Sequence, residues 1–214
     1  MKPYLVVLDM DSTFIQDEVI DLLAERAQVG EQVAAITERS MRGELDFRES
    51  LTERVSLLAG LNSEAISEVR GALRLSQGAR ELIRELHSQG SYIAVVSGGF
   101  ENVIGEFLEE LGVDFYRANT LEVVDGALTG KVVGAVIDRA AKAEFLREHA
   151  EKLGIALSDT VAVGDGANDL EMMRIAGLGV AFNAKPIVIE HADRSITDGD
   201  LTHILEFLGI SPTN

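Results

Sequence analysis

Tyr4-Leu5-Val6-Val7-Leu8-Asp9-Met10-Asp11-Ser12-Thr13 begins as an uninterrupted β-prone apolar run and stops abruptly on a pair of acids. An apolar run without alternation reads as a strand buried on both faces, as in parallel sheets covered by helices. The same punctuation returns downstream. Strands are expected at Tyr92 to Ser97, around Asp114 to Asn119, at Thr160 to Gly164 and at Leu178 to Phe182. Helices are expected at Ser76 to Gln89, Glu101 to Leu111, Asp138 to Leu153 and Asn168 to Ala176, with a terminal one near Asp200 to Leu208. Two stretches break the alternation. Leu121 to Val133 reads as a β-hairpin, because Asp125-Gly126 suits the positive φ values of a tight turn. Between the first two strands the pattern is wholly helical: Asp17 to Val29, Glu31 to Arg42, Asp46 to Ala59 and Ser63 to Arg70, punctuated by Gly30, Gly43, Gly60 and Gly71.

Strands alternating with helices imply an α/β fold, a Rossmann-like parallel sheet covered on both sides. The helical block is then an insertion. The expected organisation is a core of residues 1–15 and 75–214 and a helical cap of residues 16–74, set over the carboxyl ends of the strands, where open α/β sheets bind ligands.

Bulk properties narrow the function. With 214 residues, 46% of them hydrophobic and only 3 prolines, the chain can bury a sizeable core. Its 36 acidic against 19 basic residues give a formal charge of -17, which repels nucleic-acid phosphates and anionic membrane surfaces. A phosphate-bearing substrate would therefore need local cations or a metal. The absence of cysteine excludes disulfides, thiolate metal sites and cysteine nucleophiles, and suits a reducing cytoplasm. The run Leu5 to Leu8 is too short for a signal peptide, and no stretch approaches the roughly 20 apolar residues of a membrane span.

Four groups of residues carry chemistry. Asp9 and Asp11, two residues apart at a strand end, can point to one side. Alone they fit a turn cap as well as a cation-bridged or proton-sharing pair. Gly164-Asp165-Gly166-Ala167-Asn168-Asp169 again follows an apolar strand and opens a helix, and its acids are hard oxygen donors of the kind Mg²⁺ prefers. Ser97-Gly98-Gly99, between a strand and a helix, offers a hydroxyl and backbone N–H groups for a phosphate at a helix amino terminus. Lys142 stands early in its helix, where the dipole disfavours a cation; it reads either as a solvated lysine or as the partner of an anion.

In this order the four groups resemble the motifs of the haloacid dehalogenase superfamily of phosphatases, over nearly the whole chain. Asp11-Ser12-Thr13-Phe14-Ile15 and the helical block ending Phe47 to Ser56 resemble the branch that hydrolyses O-phospho-L-serine, the last step of serine biosynthesis. That resemblance implies Asp9 as nucleophile, Asp11 as general acid and then base, and Mg²⁺ held by the Asp9 carboxylate, the Asp11 backbone carbonyl and Asp165, supported by Asp169. Ser97, the Gly98 amide and Lys142 would neutralise phosphoryl charge, with Gly99 beside them. Met10 departs from the phenylalanine common in the superfamily, and Ala143 from a frequent glycine.

Helical periodicity singles out one cap residue independently. At about 100° per residue, Phe47, Leu51, Val55 and Leu58 form an apolar stripe into which Arg54 falls, whereas Arg48, Glu49 and Glu53 face away. A guanidinium there either snorkels, pairs with a cap acid, or meets an anionic ligand. The resemblance implies that Arg54 binds the substrate carboxylate and Glu18 its ammonium, that Met41 and Phe47 close the pocket, and that Asn168 touches the substrate. The expected partner is a small molecule, O-phospho-L-serine, with no nucleic acid or membrane and with the chain a monomer or homodimer. Two other functions compete: phosphoryl transfer to an alcohol such as homoserine, and a non-enzymatic phosphoacceptor switch. Asp11 and the cap speak against the switch.

Overall fold

Strand β1 (Leu5–Leu8) is buried along its whole length. Successive side chains of a strand leave opposite faces. Leu5 and Val7 accordingly join an apolar layer with Phe145, Leu146 and Met172, while Val6 and Leu8 join another with Leu82, Leu86 and Ile104. At about 25 cal/mol per Å² of apolar surface, burial on two faces makes this strand the anchor of the sheet. The computed structural model describes residues 2–211.

Around β1 stand β2 (Tyr92–Phe100), β3 (Phe115–Val124), β4 (Ala127–Val133), β5 (Thr160–Gly164), β6 (Leu178–Phe182) and β7 (Arg194–Ile196). Among the described residues they form one sheet in the order β4-β3-β2-β1-β5-β6-β7, parallel except for the β3–β4 pair. The chain winds one way from β1 to β2 and the other way from β5 onward, so β1 and β5 flank the point where the winding reverses, the place where such sheets open a crevice. The expected hairpin is present, with Asp125 at φ 49° and Gly126 at φ 78°. The three-residue β7 is too short to leave an alternation in the sequence.

Four helices separate β1 from β2: α1 (Val19–Arg26), α2 (Gly30–Met41), α3 (Phe47–Ser56) and α4 (Glu64–Ala72). α1 packs against α2 and α4, and α2 against α3. A capping box starts α3: Asp46 accepts the Glu49 N–H at 2.8 Å and Glu49 accepts the Asp46 N–H at 2.9 Å, a device worth about 1 kcal/mol. The chain enters and leaves this block side by side. Ile15 and Leu75 form an antiparallel bridge, the Gln16 N–H donates to Arg74 O at 2.8 Å, and the Ser76 N–H donates to Phe14 O at 3.0 Å. Asp17 then accepts from the Arg74 backbone N–H at 2.7 Å and from its guanidinium at 2.6 Å.

The remaining helices are α5 (Ala79–Ser88), α6 (Glu101–Leu111), α7 (Arg139–Leu153), α8 (Leu170–Ile175), α9 (Pro186–Ile189) and α10 (His203–Phe207). No helix of the described residues is long and apolar enough to cross a membrane.

Candidate active site

The carboxyl ends of β1, β2 and β5 meet beneath the inserted helices. Asp9 follows β1 directly and opens a single wide turn, Met10–Phe14, accepting the Met10 N–H on Oδ1 at 2.8 Å. Ser12, at φ 53°, bends that turn so that Asp11 comes back over the rim. Lys142, in the first turn of α7, is only 1% exposed; its Nζ lies 2.7 Å from Asp9 Oδ1 and 2.8 Å from Asp169 Oδ1. A lysine so deep needs two carboxylates, because burial alone strips a cation of its hydration. Burial works against its charge, but Asp169 and Asp9 overcome it and raise the Lys142 pKa. No described hydrogen bond falls on Asp9 Oδ2.

Asp165 follows β5, and Asp169 lies one turn further on. Oxygens of Asp9, Asp165 and Asp169 fall within 4.8 Å of one another. The Asp169 Oδ2 accepts the Gly166 N–H at 3.1 Å, and a side chain at Gly164 would collide with the Asp169 carboxylate, which explains the glycine before Asp165. Burial, and then the charge of Asp9, push Asp165 up to about 6 and Asp169 up to about 7, with Lys142 opposing both. Three hard oxygen donors so crowded carry more negative charge than one lysine offsets, and a divalent cation fits that deficit. The Asp11 carboxylate is not in this cluster. Its Oδ1 accepts the Val19 N–H at 2.9 Å and its Oδ2 faces Ser97 Oγ at 3.4 Å. Burial, then the charges of Glu18 and Asp9, hold it well above the usual carboxylate range.

The third group differs from expectation. Ser97-Gly98-Gly99 is the end of β2, which runs on to Phe100 before α6 starts at Glu101. Two interactions keep it extended: Gly98 O accepts from Asn119 Nδ2 at 2.8 Å, and the β2–β3 register shifts between Val96 and Phe100. The Gly99 N–H is turned onto Ser97 Oγ at 2.8 Å. A Cβ at Gly99 would stand 2.9 Å from Asp11 Oδ2, and one at Gly98 3.1 Å from the Phe47 ring. Small residues here let both the acid and the cap close in.

A cavity of about 300 Å³ lies above these residues. Asp9, Asp11, Gly98, Gly99, Asp165 and Asn168 form its floor and wall, and Glu18, Phe47, Leu51 and Arg54 its roof. Arg54 donates Nε to Ser50 O at 3.2 Å, and no described hydrogen bond engages its two terminal nitrogens. Burial lowers its pKa, against the charges of Asp21, Glu18 and Asp11. Glu18 accepts from Ser12 Oγ at 2.6 Å. Met41, expected to close the pocket, does not line it. As the last residue of α2, where the chain turns off through Gly43, it is 65% exposed. Two groups escaped the sequence reading. Lys185 lines the cavity three residues beyond β6, a strand-end position on the same rim, and its N–H donates to Asp165 O at 3.4 Å. Asp21, one helical turn after Glu18, exerts its charge on Arg54.

Comparison with known proteins agrees with this geometry. Residues 6–174 match the family model described as haloacid dehalogenase-like hydrolase. The chain is similar to the phosphoserine phosphatase of Streptomyces coelicolor, at 55% identity over 97% of this chain but only 50% of that protein, so it spans about half the length of that relative. It is 50% identical to the phosphoserine phosphatase of Streptococcus thermophilus, over 95% of each chain. A solved substrate-bound phosphoserine phosphatase superposes with a TM-score of 0.91 at 46% identity, over 97% of this chain and 99% of that one.

Proposed function

The chain belongs to the haloacid dehalogenase-like hydrolases, and from that membership we propose that it hydrolyses O-phospho-L-serine to L-serine and phosphate through an aspartyl-phosphate on Asp9. The observation that carries the substrate is Arg54. Its half-buried guanidinium, with both terminal nitrogens uncommitted, roofs a cavity whose floor is the Asp9 rim. A carboxylate beside the phosphoryl group satisfies it bidentately. Glu18 then takes the ammonium, Phe47 packs over the small residues at Gly98, and Asn168 borders the phosphoryl end. Met41 takes no part in this reading.

The steps follow from proton positions. Lys142 orients Asp9 through Oδ1, leaving Oδ2 to attack phosphorus in line with the seryl oxygen. As the new P–O bond forms, the bond to the seryl oxygen breaks. Burial and the charges of Glu18 and Asp9 raise the Asp11 pKa and so favour its protonated form, which delivers its proton to the leaving oxygen. Now a carboxylate, Asp11 takes a proton from the water that attacks the aspartyl-phosphate, and both Asp9 and Asp11 regain their starting states. Ser97, the Gly98 amide and Lys142 carry charge on the phosphoryl oxygens. Mg²⁺, held by Asp9 and Asp165 with the Asp11 carbonyl and with Asp169 in support, would supply further neutralisation of that charge.

In this reading residues 16–74 are the cap and residues 1–15 and 75–214 the core. The protein works in the cytoplasm on a small molecule, as a monomer or homodimer, and the -17 charge and lack of cysteine support that setting. Purified protein with Mg²⁺ is expected to release phosphate from O-phospho-L-serine far faster than from phosphothreonine, a sugar phosphate or an aryl phosphate. Equal rates on all four would discard the substrate.

A further inference from the structure

The inserted helices are held to the core a second time, far from Ile15 and Leu75. The turn after α3 lies along β4, the edge strand of the sheet. The Gly60 N–H donates to Leu128 O at 2.8 Å, the Leu128 N–H donates to Leu61 O at 2.8 Å, and the Ser63 N–H donates to Gly126 O at 2.9 Å. Asn62 and Ala127 form an antiparallel bridge between them. Gly130, at φ +80°, lets the end of α3 in: a Cβ there would stand 3.0 Å from both Ala59 Cβ and Ser56 O. Leu128, 2% exposed, is sealed beneath the contact. A strand edge that would otherwise be open is thus used up by the insertion itself.

α3 is the helix that carries Phe47 and Arg54. Near its start Arg48 pairs with Asp138, the N-cap of α7, at 3.3 Å, across a contact half open to solvent and so of small worth. Its far end is fixed by three backbone hydrogen bonds instead. The crossing at Ile15 and Leu75 and the packing of α4 on α6 hold other parts of the insertion, and the attachment along β4 adds a restraint at the end of α3 itself. We propose that the β3–β4 hairpin is a positioning element which sets the height of Arg54 above the Asp9 rim, with Gly130 and Leu128 determining substrate specificity through α3 rather than by contact. β4 pairs with β3 and β3 with β2, the strand that ends in Ser97-Gly98-Gly99. The tether therefore refers the recognising guanidinium to the same sheet that holds the nucleophile. This inference rests on the functional reading above.

The test compares O-phospho-L-serine with O-phosphoethanolamine, which keeps the ammonium and the leaving oxygen but lacks the carboxylate. Gly130→Val pushes α3 off the hairpin. It is expected to raise KM for phosphoserine about tenfold, the worth of a loosened charge-assisted hydrogen bond, with kcat within about twofold and phosphoethanolamine turnover unchanged. Ser63→Pro suits the existing φ of -62° and deletes only the N–H given to Gly126, so it is expected to shift KM the same way by less. Amide exchange at Gly60 and Leu128 should quicken in both variants. Equal losses on the two substrates would reduce the hairpin to a stability element and overturn the proposal, as would unchanged KM in both variants. Should Gly130→Val fail to fold, Ser63→Pro decides alone. If the unaltered protein released no phosphate from phosphoserine, the functional reading would fall by itself; slow exchange at Gly60 and Leu128 would still support the tether, and fast exchange would remove it.

Discussion

The floor and the roof of the cavity are built on opposite plans. On the floor the deepest charged groups are already engaged, Lys142 with two carboxylates, Asp169 with Lys142 and Gly166, Asp11 with Val19 and Ser97, and among the described residues only Asp9 Oδ2 and the Asp165 and Asn168 side chains stay open. On the roof, Arg54 and Glu18 each make one hydrogen bond, 3.2 Å and 2.6 Å long, and otherwise face the cavity. A network finished in advance loses little reorganisation energy during reaction, which is what bond-making needs. Unfinished groups leave their bonding capacity for a ligand, and a molecule that cannot complete them is rejected.

Breaking the floor should cost most. Asp9→Asn keeps the acceptor for Met10 but removes the nucleophile, and phosphate release is expected to fall by roughly four to six orders of magnitude in a steady-state assay; retention of more than a hundredth of the activity would refute the covalent route. Lys142→Met leaves Asp9 and Asp169 buried without their shared cation. Urea denaturation should register a loss of about 3–5 kcal/mol, the scale of an orphaned buried charge pair, together with collapse of turnover. Breaking the roof should cost less and selectively. Arg54→Ala is expected to raise KM for phosphoserine by roughly tenfold to a hundredfold while phosphoethanolamine hydrolysis stays put, and parallel losses would erase the distinction between floor and roof.

Next in size is the response to pH and Mg²⁺. The folded-state pKa values of Asp165 and Asp169, about 6 and about 7, exceed the 3.8 of an ordinary aspartate. The folded protein therefore binds more protons than the unfolded chain across that interval, and these two groups subtract stability as pH rises from near 4 to near 7. Mg²⁺ at the proposed site would bind the deprotonated forms, so the Tm increment on adding it should be larger at about pH 7.5 than at about pH 5. Equal increments would detach the cation from this cluster. The smallest effect belongs to the connection between floor and roof. Arg74→Ala removes an exposed guanidinium from Asp17 but leaves the backbone donor, and should shift the denaturant midpoint less than any other change named here.

The floor was more legible in the sequence than the roof, for a physical reason. A buried strand must be apolar and must end somewhere, so Asp9 and Asp165 mark their own positions, and β1, β5 and β6 appear as read. Lys142 looked out of place on its helix, and the structure pairs it with Asp9 and Asp169. Arg54 was visible through its stripe. Met41 was misplaced because no periodic signal put it inward, only resemblance. Ser97-Gly98-Gly99 looked like a turn because glycine is a weak strand former, whereas Asn119 and the register shift that keep it extended come from a neighbouring strand. Asp21, Lys185 and the contact of Gly130 with Ala59 likewise depend on which distant segments approach, and spacing along the chain carries no record of that.

The bridge between Ile15 and Leu75 has one more consequence. Because the chain departs and returns at one point, a different helical module could in principle be grafted there without disturbing Asp9. The hairpin makes such a transplant harder than it looks: an exchanged module would also have to bring its own backbone donor and acceptor for Leu128, or leave β4 bare. Modularity at the doorway is therefore constrained at the far wall, and chimeras designed with both in mind should fold and turn over better than those joined at Ile15 and Leu75 alone.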